Sequence, residues 1–374
     1  MHITRFVRHI QRFDWLLVLG VLILFVLGIA AIYSVELSRE DADFLLVRKQ
    51  LTAFGLGIVA MIALARSNYL FLRNWGKALY FIGALLLVAV LIFGTELNGT
   101  RGWFIIAGIS FQPVEFVKIA LIVQLARYFG EHASRKFSWK EIVYSGLILL
   151  IPFCLTMLQP DLGSSAILLG TLCVMMFFAG IRWIHTIVLF CATAIAGVIG
   201  WFFVFADYQK ERLMVFIDPS LDPLVSGYNV AQAKIAIGSG GLFGKGLGFG
   251  SQSQLQFLPE SQTDFVFSVI GEELGFIGIC LLLLACILVL WRIVRAARLA
   301  KDHFTKFLLL GIFGLFSVQF IVNISVNLAL LPTTGIALPF VSYGGTSLLA
   351  SLVLIGIVQS ITIRRCNSDE RGCF

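Results

Sequence analysis

Ten apolar runs set the limits on what this chain can become: approximately residues 15-35, 50-65 (extendable back to Phe44), 76-94, 113-130, 142-158, 162-180, 185-206, 264-291, 306-331 and 338-363. Runs of about 17 to 25 residues are each long enough to cross a bilayer as helix. With 59% hydrophobic residues, 13% charged residues and a mean hydropathy of +0.94, the chain lies outside the range of soluble domains. The expected fold class is an all-α polytopic membrane protein of about ten transmembrane helices. One long extracytoplasmic loop, about 207-262, lies between spans 7 and 8. No polar stretch has room for a soluble domain, so residues 1–374 read as a single integral-membrane domain. The fourth run is the least regular, because Glu115, Lys118, Gln124 and Arg127 interrupt it.

The formal charge of +7 follows topology rather than a nucleic-acid partner. Arg5, Arg8 and Arg12 precede the first run, and the groups Arg127 to Lys140, Arg292 to Lys306, and Arg364, Arg365 and Arg371 fall in alternate short connections. Glu36, Glu96, Asp161, Asp207, Asp218 and Glu260 fall on the opposite side. The positive-inside rule therefore puts both termini in the cytoplasm and Asp264 at the outer face. The run from Asp14 to Tyr33 exceeds the apolar core of a cleaved signal, so it reads as an uncleaved first span. The cysteines show no metal-ligand spacing and read as small core residues rather than a disulfide framework.

The densest chemistry lies in Phe257 to Gly278, where a polar turn passes into an apolar helix carrying Asp264, Glu272 and Glu273. An ionisable group within a spanning helix costs about 2.5 kcal/mol or more, so each needs a partner or a wet cavity. With a helix start near Thr263, Asp264, Ser268 and Glu272 recur every fourth residue and share one face. Gly271, Gly275 and Gly278 flank that face and admit a second helix or a ligand. The structural alternative is an N-cap at Asp264 and a salt bridge at Glu272.

Other candidates gather at the outer surface. Arg101 and Trp103 close a turn beginning at Asn98, where Trp is also an ordinary interfacial anchor. Glu115 and Lys118 stand three apart on one helix face and can neutralise each other at membrane depth. Asp161 follows Pro160 as a natural N-cap. The stretch Gly238 to Gly250 is glycine-rich but matches no nucleotide-binding motif, and with Lys245 it offers backbone N–H groups to an anionic headgroup. Pro332 to Ser347 is an irregular segment holding Ser342 and Ser347, and such backbone survives at membrane depth only where it is buried or lines a wet cavity. Gln319, Asn323 and Asn327 form a four-residue stripe suited to hydrogen bonding between helices.

One strong base candidate, Asp264, with the cations Arg101, Lys118, Lys245 and Lys49, suits a glycosyl transfer from a lipid pyrophosphate. The base takes the proton of an acceptor hydroxyl as it attacks an anomeric carbon, and cations hold the departing pyrophosphate. A single base and a leaving group that needs no protonation favour direct inversion. These residues leave open a proton-coupled transporter or a lipid-precursor flippase, which also places carboxylates in wet cavities. They identify no cofactor and leave a divalent cation open.

The stretches Phe257 to Gly278, Gln112 to Ile119, Gln159 to Gly163, Asp218-Pro219, Ala236 to Gly248 and Leu338 to Ser347 closely resemble the signature of the SEDS family (shape, elongation, division and sporulation), in the same order over nearly the whole chain. The resemblance implies a peptidoglycan glycosyltransferase that polymerises lipid II on the outer face of the bacterial cytoplasmic membrane, with a class B penicillin-binding protein as transpeptidase partner. It implies Asp264 as the base, Glu115 and Lys118 as an ion pair lining a central cavity, and Arg101 and Trp103 as outer-loop substrate or activation positions. Lys49, with Gln50, matches a basic position of the second span. Gln262 departs from the family, where histidine is common, and puts in doubt a proton relay through that position. The short N-terminus and Gly246 to Pro259 resemble the elongation branch, RodA-type, whereas Gly271 resembles the division branch, FtsW-type. The basic connection Arg292 to Lys306 also suits a scaffold of the elongation machinery.

Overall fold

The computed structural model describes residues 13–368 apart from 39–42, 98, 107–108, 134–137, 204, 206, 219–225, 256 and 259. The leader arginines Arg5, Arg8 and Arg12, with Pro259 and Asn98, lie outside the described residues. Each apolar run becomes a helix: α1 Trp15–Leu37, α2 Leu45–Arg66, α3 Leu70–Phe93, α4 Pro113–His132, α5 Trp139–Leu158, α6 Leu162–Phe178 and α7 Trp183–Phe203. Among the described residues the long loop holds the shorter helices α8 Asp207–Ile217, α9 Ser226–Ser239 and α10 Ser251–Gln254. Then come α11 Val266–Arg298, α12 His303–Asn327 and α13 Gly345–Ser368.

Among the described residues, eight of these helices are long and apolar enough to span a membrane. The two remaining runs of the expected ten are helical for different reasons. Helix α6 has 17 residues, about 25 Å of rise. Helix α4 has 20 residues, but Glu115, Lys118 and Arg127 lower its apolar character. The architecture is therefore that of an all-α, multi-pass membrane protein.

Helices α12 and α13 form the centre, with most of their apolar windows buried, while α7 leaves nearly all of its window exposed. Helix α13 packs along α2, α12 against α4, α6 and α11, and α11 against α1. Their side chains join one core that includes Leu24, Phe129, Ile167, Val289, Phe316 and Ile355.

The structure corrects the sequence reading at several places. Thr100 to Trp103, read as part of a turn running from Asn98 to Trp103, instead belong to β2 of an antiparallel three-stranded sheet of β1 Thr95–Leu97, β2 Thr100–Ile106 and β3 Ile109–Phe111, in the order β1-β2-β3. The last span starts at Gly345 rather than near 338, because residues 332–344 run as irregular backbone. Helix α11 is broken at Gly275, whose φ of 66° and ψ of −161° suit only glycine. A break at membrane depth frees backbone groups that need partners. The glycine-rich strap supplies them: Phe276 and Ile277 donate to the carbonyls of Gly241 and Leu242, and Lys245 and Gly246 donate to those of Glu272 and Glu273.

Candidate active site

Asp264 sits in the turn that leads into α11, two residues before the helix begins, and not within its first turn as the sequence spacing suggests. The main-chain N–H groups of Thr263 and Asp264 donate to the carbonyl of Glu260 at 3.1 and 3.2 Å. The Asp264 carbonyl accepts from the Asn323 amide at 3.1 Å and the Asn327 amide at 2.9 Å. Asn323 also donates to the Ile336 carbonyl at 2.8 Å, and Asn327 accepts from the backbone and hydroxyl of Ser268. The polar stripe of α12 thus secures the backbone of Asp264 against α11 and the irregular segment 332–344.

The irregular segment closes the other side. The Ser342 hydroxyl donates to the Thr263 carbonyl at 2.5 Å and accepts from the N–H of Leu338 at 2.8 Å, and Tyr343 donates to the Gln262 carbonyl at 2.8 Å. Gln50, buried in α2, donates to the Ser342 carbonyl and accepts from the N–H of Gly344. Gly335 lies against the Asp264 carboxylate, where a Cβ would stand 3.9 Å from Oδ2.

The carboxylate itself is left unoccupied. Among the described residues no donor bonds to the side chain of Asp264, although its backbone is held on several sides. Burial and the nearby Glu260 carboxylate raise its pKa from 3.8 to about 6, opposed by the positive charge of Arg212. A carboxylate poised within reach of neutral pH and open at both oxygens is suited to accept a proton.

The other candidates are distributed around this centre. Glu115 and Lys118 form a buried pair on the first turn of α4, with Nζ to Oε1 at 2.8 Å. Arg101 donates to the carbonyls of Gly94 and Ile92, completing the C-terminal end of α3. Trp103 lies half-buried in β2 opposite Thr95. Lys49 is exposed on α2 and has no side-chain partner among the described residues. Asp161 caps α6 by accepting from the N–H of Ser164 at 2.8 Å. Ser347 is half-buried in the first turn of α13.

Lys245 departs furthest from expectation. Its Nζ lies 3.0 Å from Oε1 of Glu272, a side chain with no exposure, and the N–H groups of Gln252 and Ser253 also donate to Glu272. The anion held by this glycine-rich stretch is the protein's own carboxylate. Glu272 consequently faces the strap and not Asp264; Gly275 admits the strap's backbone, while Gly271 lets helix α9 approach closely through Ile237.

Sequence reasoning missed Arg212. It belongs to α8, where Nη1 donates to the Thr333 carbonyl at 3.4 Å, two residues from Gly335. Its legible signal was the i, i+3 pair with Gln209, which is buried and donates to the Pro160 carbonyl at 3.0 Å.

With this geometry in hand, similarity to known proteins is informative. The family model of FtsW, RodA and SpoVE, described as cell cycle protein, matches residues 14–367. Stage V sporulation protein E of Bacillus subtilis is 38% identical over 93% of this chain and 96% of its own length. The peptidoglycan glycosyltransferase MrdB of Escherichia coli K12 is 37% identical over 88% of each chain. A solved chain described under structural coordination of polymerization and crosslinking by a peptidoglycan synthase complex is 32% identical, with a TM-score of 0.79 over 94% of this chain and 98% of its own.

Proposed function

The chain belongs to the FtsW/RodA/SpoVE family of cell cycle proteins, and from that membership we propose that it polymerises lipid II with Asp264 as the general base. It is a multi-pass membrane protein and a peptidoglycan glycosyltransferase. The observation that carries the assignment of the base is the Asp264 carboxylate, fixed through its backbone by Asn323 and Asn327 yet free of side-chain donors among the described residues.

In this mechanism Asp264 takes the proton of an acceptor-sugar hydroxyl while that oxygen attacks the anomeric carbon of the lipid-linked donor. The bond from that carbon to the pyrophosphate breaks with inversion, and the electron pair leaves with the lipid pyrophosphate. Glu115 and Lys118, Arg101 with Trp103, Lys49, Asp161, Ser342 and Ser347 serve as cavity or substrate positions. Of these, Ser342 has direct geometric support through its bond to the Thr263 carbonyl. Lys245 supports the site indirectly, by holding the strap to α11 through Glu272.

We place the reaction at the outer face of the bacterial cytoplasmic membrane, with both termini inside, on the distribution of Lys and Arg. The whole chain acts as one membrane domain, and its partner is a class B penicillin-binding transpeptidase, a reading supported by the similarity to a chain from a peptidoglycan synthase complex. The segment Gly246 to Pro259 favours a role in elongation and cell shape, and Gly271 favours the division-type reading.

The test is polymerisation of lipid II by the purified protein with its transpeptidase, comparing wild type with Asp264→Asn. Glycan strands from the wild type alone are expected. Strands from the Asn variant would remove Asp264 as base. No polymer from a folded wild-type complex, with labelled lipid moving between leaflets instead, would favour a flippase.

A further inference from the structure

We propose that a basic cleft at the far end of the bundle from Asp264, between the start of α3 and the end of α4, binds the phosphate headgroup of an anionic phospholipid through Arg73 and Arg127. The proposal stands apart from the polymerase reading, because the cleft shares no residue with the site around Asp264. Helix α12 sets the separation. Its Asn323 holds the Asp264 backbone and its His303 lines the cleft, and from one to the other the helix rises about 30 Å.

The cleft is built where three helix ends are fastened together. The hydroxyls of Tyr69, just before α3, and Thr305, at the start of α12, are hydrogen-bonded at 3.2 Å. Gly130 brings the last turns of α4 so near α12 that an added Cβ would lie 2.9 Å from the main chain of Phe304. Between these ends lie two adjoining cavities of about 540 and 360 Å³, and both are lined by Arg73, Arg127 and Glu131. Leu70 and Arg73, three apart, line the first from one face of α3.

The acids of the lining are used by the protein itself. Glu131 accepts from Nε of Arg127 at 3.0 Å. Asp302 accepts from the N–H and the hydroxyl of Thr305 at 2.9 and 2.6 Å, capping α12. The two arginines are not matched in this way. Among the described residues Arg73 has no side-chain partner and Arg127 is engaged through Nε alone, which leaves its terminal N–H groups to the cleft. Two like charges in one cleft repel, and an anion between them turns that cost into attraction. Guanidinium forks suit the tetrahedral oxygens of a phosphate.

The apolar flank points to a lipid as the carrier of that phosphate. Leu70 lines the cleft and is itself exposed, and Phe71 and Trp75, on either side of Arg73 in α3, are exposed as well. A phosphate at Arg73 therefore has apolar surface beside it for acyl chains, with a Trp of the kind found at membrane interfaces. Basic pockets between spanning helices recognise lipid headgroups by this combination. A free phosphate or an acidic peptide has no use for the flank.

The experiment uses the full-length protein in detergent, with phosphatidylglycerol, phosphatidylcholine, inorganic phosphate and polyglutamate each titrated separately. Apparent affinities are read from the rise in melting temperature, which follows ligand occupancy. Native mass spectrometry counts the bound lipid. Phosphatidylglycerol is expected to stabilise the wild type more than the other three. R73Q and R127Q are each expected to weaken it by at least about fivefold, the contribution of one basic residue near anionic lipid. E131Q releases Arg127 from its carboxylate and should bind at least as tightly as wild type. R298Q removes an exposed arginine at the end of α11, outside the cleft, and should bind like wild type.

Equal weakening in R298Q and R73Q would overturn the proposal, because diffuse surface charge would then explain the binding. Inorganic phosphate as protective as phosphatidylglycerol would overturn the lipid as ligand, and polyglutamate protecting where lipid does not would replace it with an acidic protein segment. If R127Q fails to fold for want of its pair with Glu131, R73Q decides, since Arg73 gives up no bond among the described residues. Wild-type affinity for phosphatidylglycerol in R73Q would sink the proposal.

Discussion

The Asn327 amide donates to the main-chain carbonyl of Asp264 at 2.9 Å, while the Asn327 carbonyl oxygen accepts from both the N–H and the hydroxyl of Ser268. One buried side chain on α12 thus ties the base to the helix that follows it. Asn327→Ala leaves the Ser268 groups without this acceptor, and each unsatisfied buried group costs about 1–3 kcal/mol. A lower melting temperature and a reduced kcat are expected, with KM for lipid II changing less, because the base is displaced and not removed. An Asn327→Ala protein with wild-type melting and kcat would show that the backbone of Asp264 is held without it.

Asp264 gives a pH signature. Its carboxyl rises from 3.8 to about 6 in the folded protein, through burial and then the Glu260 charge. Between those values the native state binds more protons than the unfolded chain, so stability falls as pH rises from about 4 to about 6 and stays lower above that. Asp264→Asn should therefore melt higher than wild type at pH 8, with the difference closing toward pH 4. Detergent-solubilised protein and thermal unfolding at several pH values suffice for the measurement, and an Asn variant less stable at pH 8 contradicts it.

The same group governs the rate. For a general base, kcat/KM falls on the acid side of its pKa, so the limb should lie near pH 6. Glu260→Gln removes the repulsion that raises Asp264 while keeping an oxygen for Thr263, whose hydroxyl bonds to Glu260 at 2.8 Å. Its acid limb is expected at lower pH than in the wild type. A limb that does not move would mean that Glu260 acts too weakly on the base to matter.

The strap that mends the break in α11 should be sensitive to its buried carboxylate. Glu272→Ala removes the acceptor of Lys245, Gln252 and Ser253 together, and breaking a buried pair of this kind costs about 3–5 kcal/mol. Lys245→Met should cost less, because Lys245 is partly exposed and Glu272 keeps its backbone donors. Gly244→Ala should resemble Glu272→Ala, since φ is +80° and the added Cβ would lie 2.0 Å from the Glu273 carbonyl oxygen. Melting temperatures and protease cleavage within 238–255 rank the three. A Lys245→Met protein less stable than Glu272→Ala reverses the argument.

The pair on α4 separates charge from volume. Glu115→Ala leaves Lys118 unpaired in the bilayer and opens a void, whereas Glu115→Gln keeps the volume and an acceptor. The Ala variant should be the less stable by thermal unfolding. Equal melting of the two would argue against a buried pair.

How much of this was legible varies residue by residue. The helices at 15–37, 113–132 and 303–327 follow from runs of apolar side chains that have no other way to satisfy their backbone in lipid. The Glu115–Lys118 pair was legible because i, i+3 spacing on a helix fixes a short distance. The Asn323 and Asn327 stripe announced hydrogen bonds between helices but not their acceptor, the Asp264 carbonyl, which is distant in sequence. The shared face of Asp264 and Glu272 did not survive, because a turn precedes Val266 and the strap claims Glu272.

The sequence by itself determined the membrane class, the number of helical runs, the ionisable residues that the runs carry and the family. Those depend on composition and on short-range periodicity, which each segment carries alone. Tertiary structure decided that Lys118 meets Glu115 and Lys245 meets Glu272, and that the glycine-rich strap repairs a broken helix. Those outcomes depend on which groups lose water together, and that is set only when helices far apart in the chain close on the same buried space.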